Sequence, residues 1–389
     1  MKIMHIIGGA EKGGSRTHLI TLAKELLNNR DFDAEVELVC FIDGVVAEEA
    51  RANHIPVTVF PMNKIYDLRV ISQLSRHINQ CRPQIIHTHG FRANFIGRLA
   101  NLNVNVGNDI PLVTTVHSSM AYDYANKNKG RFYRFLDRLT RSLTDHYIVV
   151  SDALKTELIA DGIAPDKITR IYNSLAYDFP RGEQPAQTIR KELDIPAETP
   201  LLTTVGRLES VKNQQMLLEI FSLLKQENIN FHGLIAGSGS LEQQLAEQAV
   251  ELNVADRVSF LGFRDDVYYL LKQSDIFLLT STMEGFGITL LEAMATATPV
   301  IVTDVGGMHE IVNLARNGFV VPINDNVQFV ARIEEILKSP DLSKKLADNG
   351  SKALNQHFTP EIFAANTYQL YQAILNNARK KRRKVVANQ

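Results

Sequence analysis

Cysteine is nearly absent from this chain: Cys40 and Cys81 are the only two in 389 residues. Two thiols are too few for a disulfide framework or a thiolate zinc site, and their scarcity fits a reducing cytoplasm. Net charge is nearly absent too. Forty-two Lys and Arg stand against 43 Asp and Glu, so no global field draws the chain to nucleic acid. No stretch approaches the ~18 consecutive apolar residues that mark a membrane span. The opening MKIMHIIGG holds too short an apolar run for a signal peptide and reads as a first strand. Short-period repeats are missing, and only the last dozen residues are biased in composition. These absences leave a cytosolic globular protein, long enough for two domains that each bury a core.

What the chain does have is alternation. Short apolar runs such as Lys2–Ile7, Ile85–Thr88, Leu112–Val116 and Tyr147–Val150 are separated by amphipathic stretches such as His18–Leu27 and Leu68–Cys81. A polar, proline-rich passage near Tyr177–Pro200 interrupts the pattern and reads as a linker. A second series follows, with Leu201–Val205, Leu234–Ala236, Val258–Leu261, Ile276–Leu279, Val300–Thr303 and Phe319–Val321. Apolar runs alternating with helices predict two doubly wound parallel α/β sheets, with a cleft between their carboxyl edges.

The segment around which the rest is organised is Glu284–Glu292, EGFGITLLE. It follows an apolar strand and opens a helical run, so it belongs at the carboxyl edge of a sheet, where open α/β folds bind ligands. Gly285 and Gly287 let backbone approach a ligand, and helix-start amides favour an anion. Glu284 and Glu292 supply acceptors for hydroxyls on either side. Two solvated glutamates on a capped helix fit the same pattern. After the first strand of the second half comes GRLESVKN, with Arg207 and Lys212 in one loop. A forked guanidinium and a mobile ammonium suit a diphosphate that gains charge as it leaves. Gly237, in AGSGSLE, follows the next strand, where a tight turn is the plain account; the same holds for Arg264 and Asp265.

In the first half, Gly13 and Gly14 in GGAEKGGSRTH form a backbone cradle or simply a tight turn. The loop is not a dinucleotide fingerprint, because its glycine spacing is wrong, and it is not a P-loop, because no Gly-Lys-Ser/Thr follows. His117 ends another strand and suits a sugar hydroxyl or a developing charge, although a lone histidine also suits a satisfied core. His89, Arg92, Asn94 and Arg98, in HTHGFRANFIGR, are candidates for an acceptor.

Taken in order, Gly13-Gly14, His117, GRL…K, AGSG and EGFGITLLE resemble the retaining nucleotide-sugar glycosyltransferases of family four (group 1), over nearly the whole chain. The resemblance implies the GT-B fold, with two facing Rossmann-like domains. Residues 1–180 would form the acceptor-side domain and 181–359 the donor-binding domain. The last helix, 360–378, would cross back onto the first domain, and 379–389 would be a basic tail. The resemblance also implies that Arg207 and Lys212 hold the donor diphosphate with help from Gly14 and Gly237. Glu292 would take the ribose, and Glu284 with the amides of Gly285, Phe286 and Gly287 would take the sugar, close to His117. Asn213 stands where relatives often have glycine. Transfer by same-face attack, with the leaving phosphate accepting the proton, needs placement and charge stabilisation. The family needs no metal and no cofactor, and no Asp-x-Asp element demands a metal here.

The expected activity is therefore transfer of a hexose or N-acetylhexosamine, from UDP as the expected carrier, to a glycan or lipid-linked hydroxyl. Three rivals differ in class. A GT-B epimerase or hydrolase would act on donor alone. A donor-binding subunit of a glycosyltransferase pair would lack catalysis, and a nicotinamide dehydrogenase would need the missing fingerprint. Arg379–Lys384 is a run of six cations, each contributing ~1 kcal/mol near an anionic leaflet. Gly130–Leu143 sets Arg131, Arg134, Arg138 and Arg141 on one helical face and Phe132, Phe135, Leu136, Leu139 and Leu143 on others. Both suit peripheral contact with the inner face of the cell membrane. A core-packed helix and a disordered end suit them equally.

Overall fold

The computed structural model describes residues 1–387 apart from 12, 63–66, 105–109, 120–126, 177, 178 and 180–186; the side chains of 68, 127–129 and 381–387 are also undescribed. The chain divides into two compact units, Met1–Ala176 with Pro360–Gln389, and Tyr177–Thr359. The division falls after Ala176 rather than at 180, so the polar passage goes with the second unit. In its described part, Ile189 and Ile195 are buried against Leu201 and Leu270.

The first unit carries β1 (Lys2–Ile7), β2 (Glu35–Cys40), β3 (Val57–Val59), β4 (Ile85–His89), β5 (Leu112–Val116), β6 (His146–Val149) and β7 (Ile168–Arg170). Their order in the sheet is β3-β2-β1-β4-β5-β6-β7, parallel throughout. Helices lie on both faces, over one core that includes Ile3, Leu19, Leu22 and Leu38 and another that includes Met4, Phe41, Leu74 and Ile96. Strands covered on both faces read as nearly continuous apolar runs. That is why β1 reads KIMHII and is buried over its last five residues. The order reverses between β1 and β4, which makes that edge the topological switch point.

The second unit repeats the plan with β8 (Leu201–Val205), β9 (His232–Ala236), β10 (Val258–Gly262), β11 (Ile276–Leu279), β12 (Val300–Thr303) and β13 (Gly318–Val321). The order is β10-β9-β8-β11-β12-β13, again parallel. Its switch point lies between β8 and β11.

The final helix runs Pro360–Ala387, nine residues past the expected end at 378, so the basic segment is helical backbone rather than a loose tail. It packs on the first unit through Phe363, Ala364 and Tyr371, which are fully or almost fully buried in that unit's core. Burying a side chain of this size contributes roughly 1.5–3 kcal/mol, enough to hold the first turns and let helix propensity carry the rest. Helix Lys127–Thr140 was open to two readings, packing on the core or contact with a membrane surface. Phe132, Phe135 and Leu139 are 51%, 58% and 61% exposed, so the core does not receive this apolar stripe.

Candidate functional site

In the second unit, β8 delivers Gly206 and Arg207 to the carboxyl edge, and a single 3-10 turn, Ser210–Lys212, presents Lys212. Asn213 closes that turn in the left-handed region (φ 51°), a conformation Asn tolerates better than most residues. From the neighbouring β11, the chain passes through Thr280–Gly287 into helix Ile288–Ala295.

The two loops are sewn together. Thr280 Oγ1 donates to the Asn213 carbonyl at 2.9 Å, and the Thr282 amide donates to the Val211 carbonyl at 2.9 Å. Lys212 Nζ then reaches Glu284 Oε2 at 2.5 Å, with the two side chains 16% and 18% exposed. Ser281 Oγ donates to the same oxygen at 3.4 Å. Two residues 72 positions apart thus form one charged pair on the switch-point edge.

Glycines permit this closeness. A Cβ on Gly306 (φ +54°) would lie 1.6 Å from the Glu284 carbonyl oxygen, and one on Gly237 (φ +142°) 1.8 Å from that of Gly206. Gly287 caps the helix start in the left-handed region (φ 83°). The Phe286 side chain is buried, with its ring 6.1 Å from that of Phe358. Glu292 lies just over one turn into the helix and is partly buried. Arg207 is exposed, and its carbonyl accepts from Gln214 Nε2 at 2.9 Å. The structure therefore puts Arg207, Lys212, Gly237, Glu284–Gly287 and Glu292 on loops or helix turns following β8, β9 and β11. Arg264 is different: it forks onto Asp266 at 2.7 Å twice and meets Glu192 at 2.9 Å, so it is spent on structure.

In the first unit, five imidazoles gather at the switch point. His5 on β1 is in register with His87 on β4, and His89 and His117 continue the same face two residues at a time. His5 Nδ1 lies 3.1 Å from His89 Nε2, and His89 Nδ1 lies 3.2 Å from His117 Nε2. His87 is held at both nitrogens, by Tyr371 at 2.5 Å and by Thr115 at 2.7 Å. His18, from helix Gly14–Asn28, meets Asn173 Oδ1 at 2.7 Å and packs edge-on to His117 with ring centres 4.6 Å apart. Burial drives the pKa of His5 down to about 3 and that of His18 to about 4. It also holds His87, His89 and His117 well below the usual range. All five rings are neutral at pH 7.

In the same unit, Gly8, Ala10, Glu11, Ile42, Phe91, Arg92 and Tyr133 line a cavity of about 380 Å³. Gly14 opens its helix behind Gly13, where a Cβ would meet nothing within 4 Å. Of the residues expected to meet an acceptor, Arg92 lines this cavity. Asn94 is buried, its Oδ1 without a hydrogen-bond partner among the described residues. His89 is walled in by other rings. Arg98 requires correction: it is 1% exposed, and its guanidinium is consumed by Asp137 at 2.6 Å, Thr144 at 2.8 Å and Thr140 at 3.2 Å. A buried guanidinium must be paired, and this one is paired from within. Reading the sequence missed His5, His18, Asn173, Glu11 and Tyr133. The clustering of histidines at strand ends was the available signal.

Comparison with known proteins adds a family. The model described as glycosyl transferases group 1 matches residues 185–353, and that described as glycosyltransferase family 4 matches 12–178. The chain is similar to the UDP-Gal:alpha-D-GlcNAc-diphosphoundecaprenol alpha-1,3-galactosyltransferase of Escherichia coli. The two are 27% identical over 315 residues, 79% of this chain and 80% of the relative. It is also similar to the N-acetyl-alpha-D-glucosaminyl L-malate synthase of Bacillus anthracis, 26% identical over 86% of this chain and 85% of that one. Among solved structures, Anabaena HepE in complex with UDP matches with a TM-score of 0.80. It is 23% identical, and the match covers 96% of this chain and all of HepE.

Proposed function

The chain belongs to the family 4, group 1 glycosyltransferases, with the two Rossmann-like units of the GT-B fold, and on that premise we propose which sugar transfer it performs. It moves a hexose or N-acetylhexosamine from a UDP-sugar to a hydroxyl of a glycan or lipid-linked saccharide, with retention at the anomeric carbon. UDP is favoured because it is part of the galactosyltransferase's donor and is the ligand in the HepE complex.

The observation that carries this reading is the Lys212–Glu284 pair on glycine-backed loops at the switch point. In the free site each charge satisfies the other. When donor binds, the ammonium turns to the diphosphate beside Arg207, and the carboxylate accepts from sugar hydroxyls. Cations fixed in place before reaction stabilise the diphosphate as it leaves, without reorganising. These two cations take the role that a divalent ion would otherwise play at the diphosphate, so the donor step is proposed to need no metal. Glu292 takes the ribose, and the amides of Gly285–Gly287 with the helix start behind them hold the sugar. In the first unit, the cavity lined by Phe91, Tyr133, Arg92 and Glu11 suits a saccharide acceptor, with rings for its apolar face and charges for its hydroxyls.

We also propose that the enzyme works at an anionic membrane surface. Exposed Phe132, Phe135 and Leu139 run beside exposed Arg131, Arg134 and Arg138 on one helix, and Arg379–Lys384 adds further charge. No helix among the described residues is long and apolar enough to cross a membrane, so contact of this kind is peripheral.

The test is to incubate the purified chain with UDP-sugars, with and without undecaprenyl-diphosphate-linked saccharides, and to read the product linkage by NMR. Acceptor-dependent transfer giving an α-linkage from an α-linked donor is expected. Release of free sugar or an epimer without acceptor would favour the hydrolase or epimerase reading and overturn this one.

A further inference from the structure

The Lys212–Glu284 pair is set from behind by bonds that step across three strands. The turn that presents Lys212 offers three successive carbonyls to the end of β11. The Thr282 amide donates to that of Val211 at 2.9 Å. Thr280 Oγ1 lies 3.3 Å from that of Lys212 and 2.9 Å from that of Asn213. A hydroxyl has one proton, so Thr280 shares it between the two or gives it to the nearer. The β11 loop is held in the same manner from β12. Thr303 Oγ1 donates to the Ser281 carbonyl at 2.5 Å, and the Gly307 amide donates to the Glu284 carbonyl at 3.3 Å.

The two threonines occupy equivalent places. Leu279 pairs with Val302 in parallel register, so Thr280 and Thr303 come next, side by side at the carboxyl edge. Thr280 is 2% exposed and Thr303 is fully buried, and each hydroxyl leans one strand toward β8. A buried hydroxyl spends its proton on a fixed partner, and a β-branched side chain has few rotamers to choose from. Packing alone would be served as well by valine, which has nearly the same shape. What the hydroxyls add is a fixed distance between neighbouring loops.

We infer that Thr280 and Thr303 are positioning residues for the donor: two buried hydroxyls that hold carbonyls of the next strand's loop and so set where the Lys212 ammonium and the Glu284 carboxylate stand. This rests on the reading of that pair as the donor site. Neither threonine is assigned a contact with donor, and both act through backbone. The Lys212 ammonium ends a flexible stem, so its reach depends on where its own backbone is anchored. Holding the carbonyl of Lys212 and those on either side fixes that anchor. Loops fixed in advance leave only side chains to be ordered when donor binds, which lowers the entropic cost of binding.

The test is calorimetric titration of UDP into the full chain and its variants. Thr280→Val and Thr303→Val are each expected to weaken binding roughly 3–10-fold, the scale of one lost hydrogen bond. Thr280→Ser keeps the hydroxyl and should stay within ~2-fold of the wild type. In a Lys212→Ala background, Thr280→Val should cost less than ~2-fold more, because the group it positions is gone. A threonine that only stabilised the fold would lower the urea midpoint without that coupling. Circular dichroism confirms folding, and where one valine variant does not fold the other decides. Wild-type affinity in the folded valine variants overturns the inference. So does a loss in Thr280→Val that persists undiminished without Lys212, or an equal loss in Thr280→Ser. No UDP binding by the wild type, or undiminished binding in Lys212→Ala, overturns the reading of the pair and this inference with it.

Discussion

Lys212 Nζ and Glu284 Oε2 stand 2.5 Å apart, each on a loop that follows a neighbouring strand of the second sheet. Because each satisfies the other's charge, removing either has two effects, the loss of a ligand contact and the stranding of its partner. Glu284→Ala and Lys212→Ala are each expected to lower kcat/KM by roughly 10²–10³ or more, the scale of losing one transition-state electrostatic contact, while circular dichroism stays native. Their effects should not add: the double variant is expected to be little worse than either single one. Wild-type turnover in either purified variant would remove that residue from the site.

Gly306 touches no ligand in this account, yet it governs the loop. A methyl group there would meet the Glu284 carbonyl oxygen at 1.6 Å on a backbone with φ +54°. Overpacking of this kind costs roughly 1–3 kcal/mol. Gly306→Ala should lower the urea midpoint by a corresponding amount and raise the KM for donor by displacing Glu284. Gly13→Ala, where a Cβ meets nothing within 4 Å, should leave the urea midpoint almost unmoved.

The histidine cluster sets an acid limit. His5 is neutral in the folded chain down to about pH 3 and His18 to about pH 4, because burial opposes their charging, whereas both take up protons near 6.5 when exposed. The unfolded state therefore binds more protons in the window between these values. Stability rises with pH there, is complete above about 6.5, and is lost as the pH falls. The slope approaches ~1.4 kcal/mol per pH unit for each such ring. Urea unfolding of the first unit's signal from pH 7 to 5 should show a steep loss, and His5→Gln should flatten it.

Membrane contact depends on the exposed stripe of helix Lys127–Thr140 and on the cations near the end of the chain. In flotation with vesicles containing anionic lipid, the combined Phe132→Ser, Phe135→Ser and Leu139→Ser variant should bind at least ~10-fold less than wild type, from lost apolar burial. Truncation after Ala378 should weaken binding further and reduce its salt dependence. Equal flotation of all three proteins would remove the membrane from the account.

Much of the architecture was legible in the sequence because strands of a parallel sheet are buried on both faces and read as plain apolar runs. β7 was not, since its three residues, Ile168–Arg170, offer one buried apolar side chain among polar ones. Composition did not give the end of the last helix, which was expected at 378 and continues through the six cations to Ala387. The donor motifs could be read because each is local, a few residues after one strand. The histidine cluster could be read only in part: His89 and His117 stand at strand ends, but their gathering depends on the register of His5 with His87 and on a helix that brings His18 beside His117. Arg98 was misread for a related reason: its partner Asp137 lies 39 positions away, on another helix. A residue's neighbours across the fold decide whether its charge is free.

Calorimetric titration of UDP into the wild type and into Arg207→Ala, Lys212→Ala and Glu292→Ala measures the donor site itself, without acceptor or membrane. One UDP per chain is expected, bound at least ~10-fold more weakly in each variant, which is the ~1.4 kcal/mol or more expected of a lost charged contact. Undiminished binding in all three variants would mean that the β8 and β11 loops are not where the nucleotide sits.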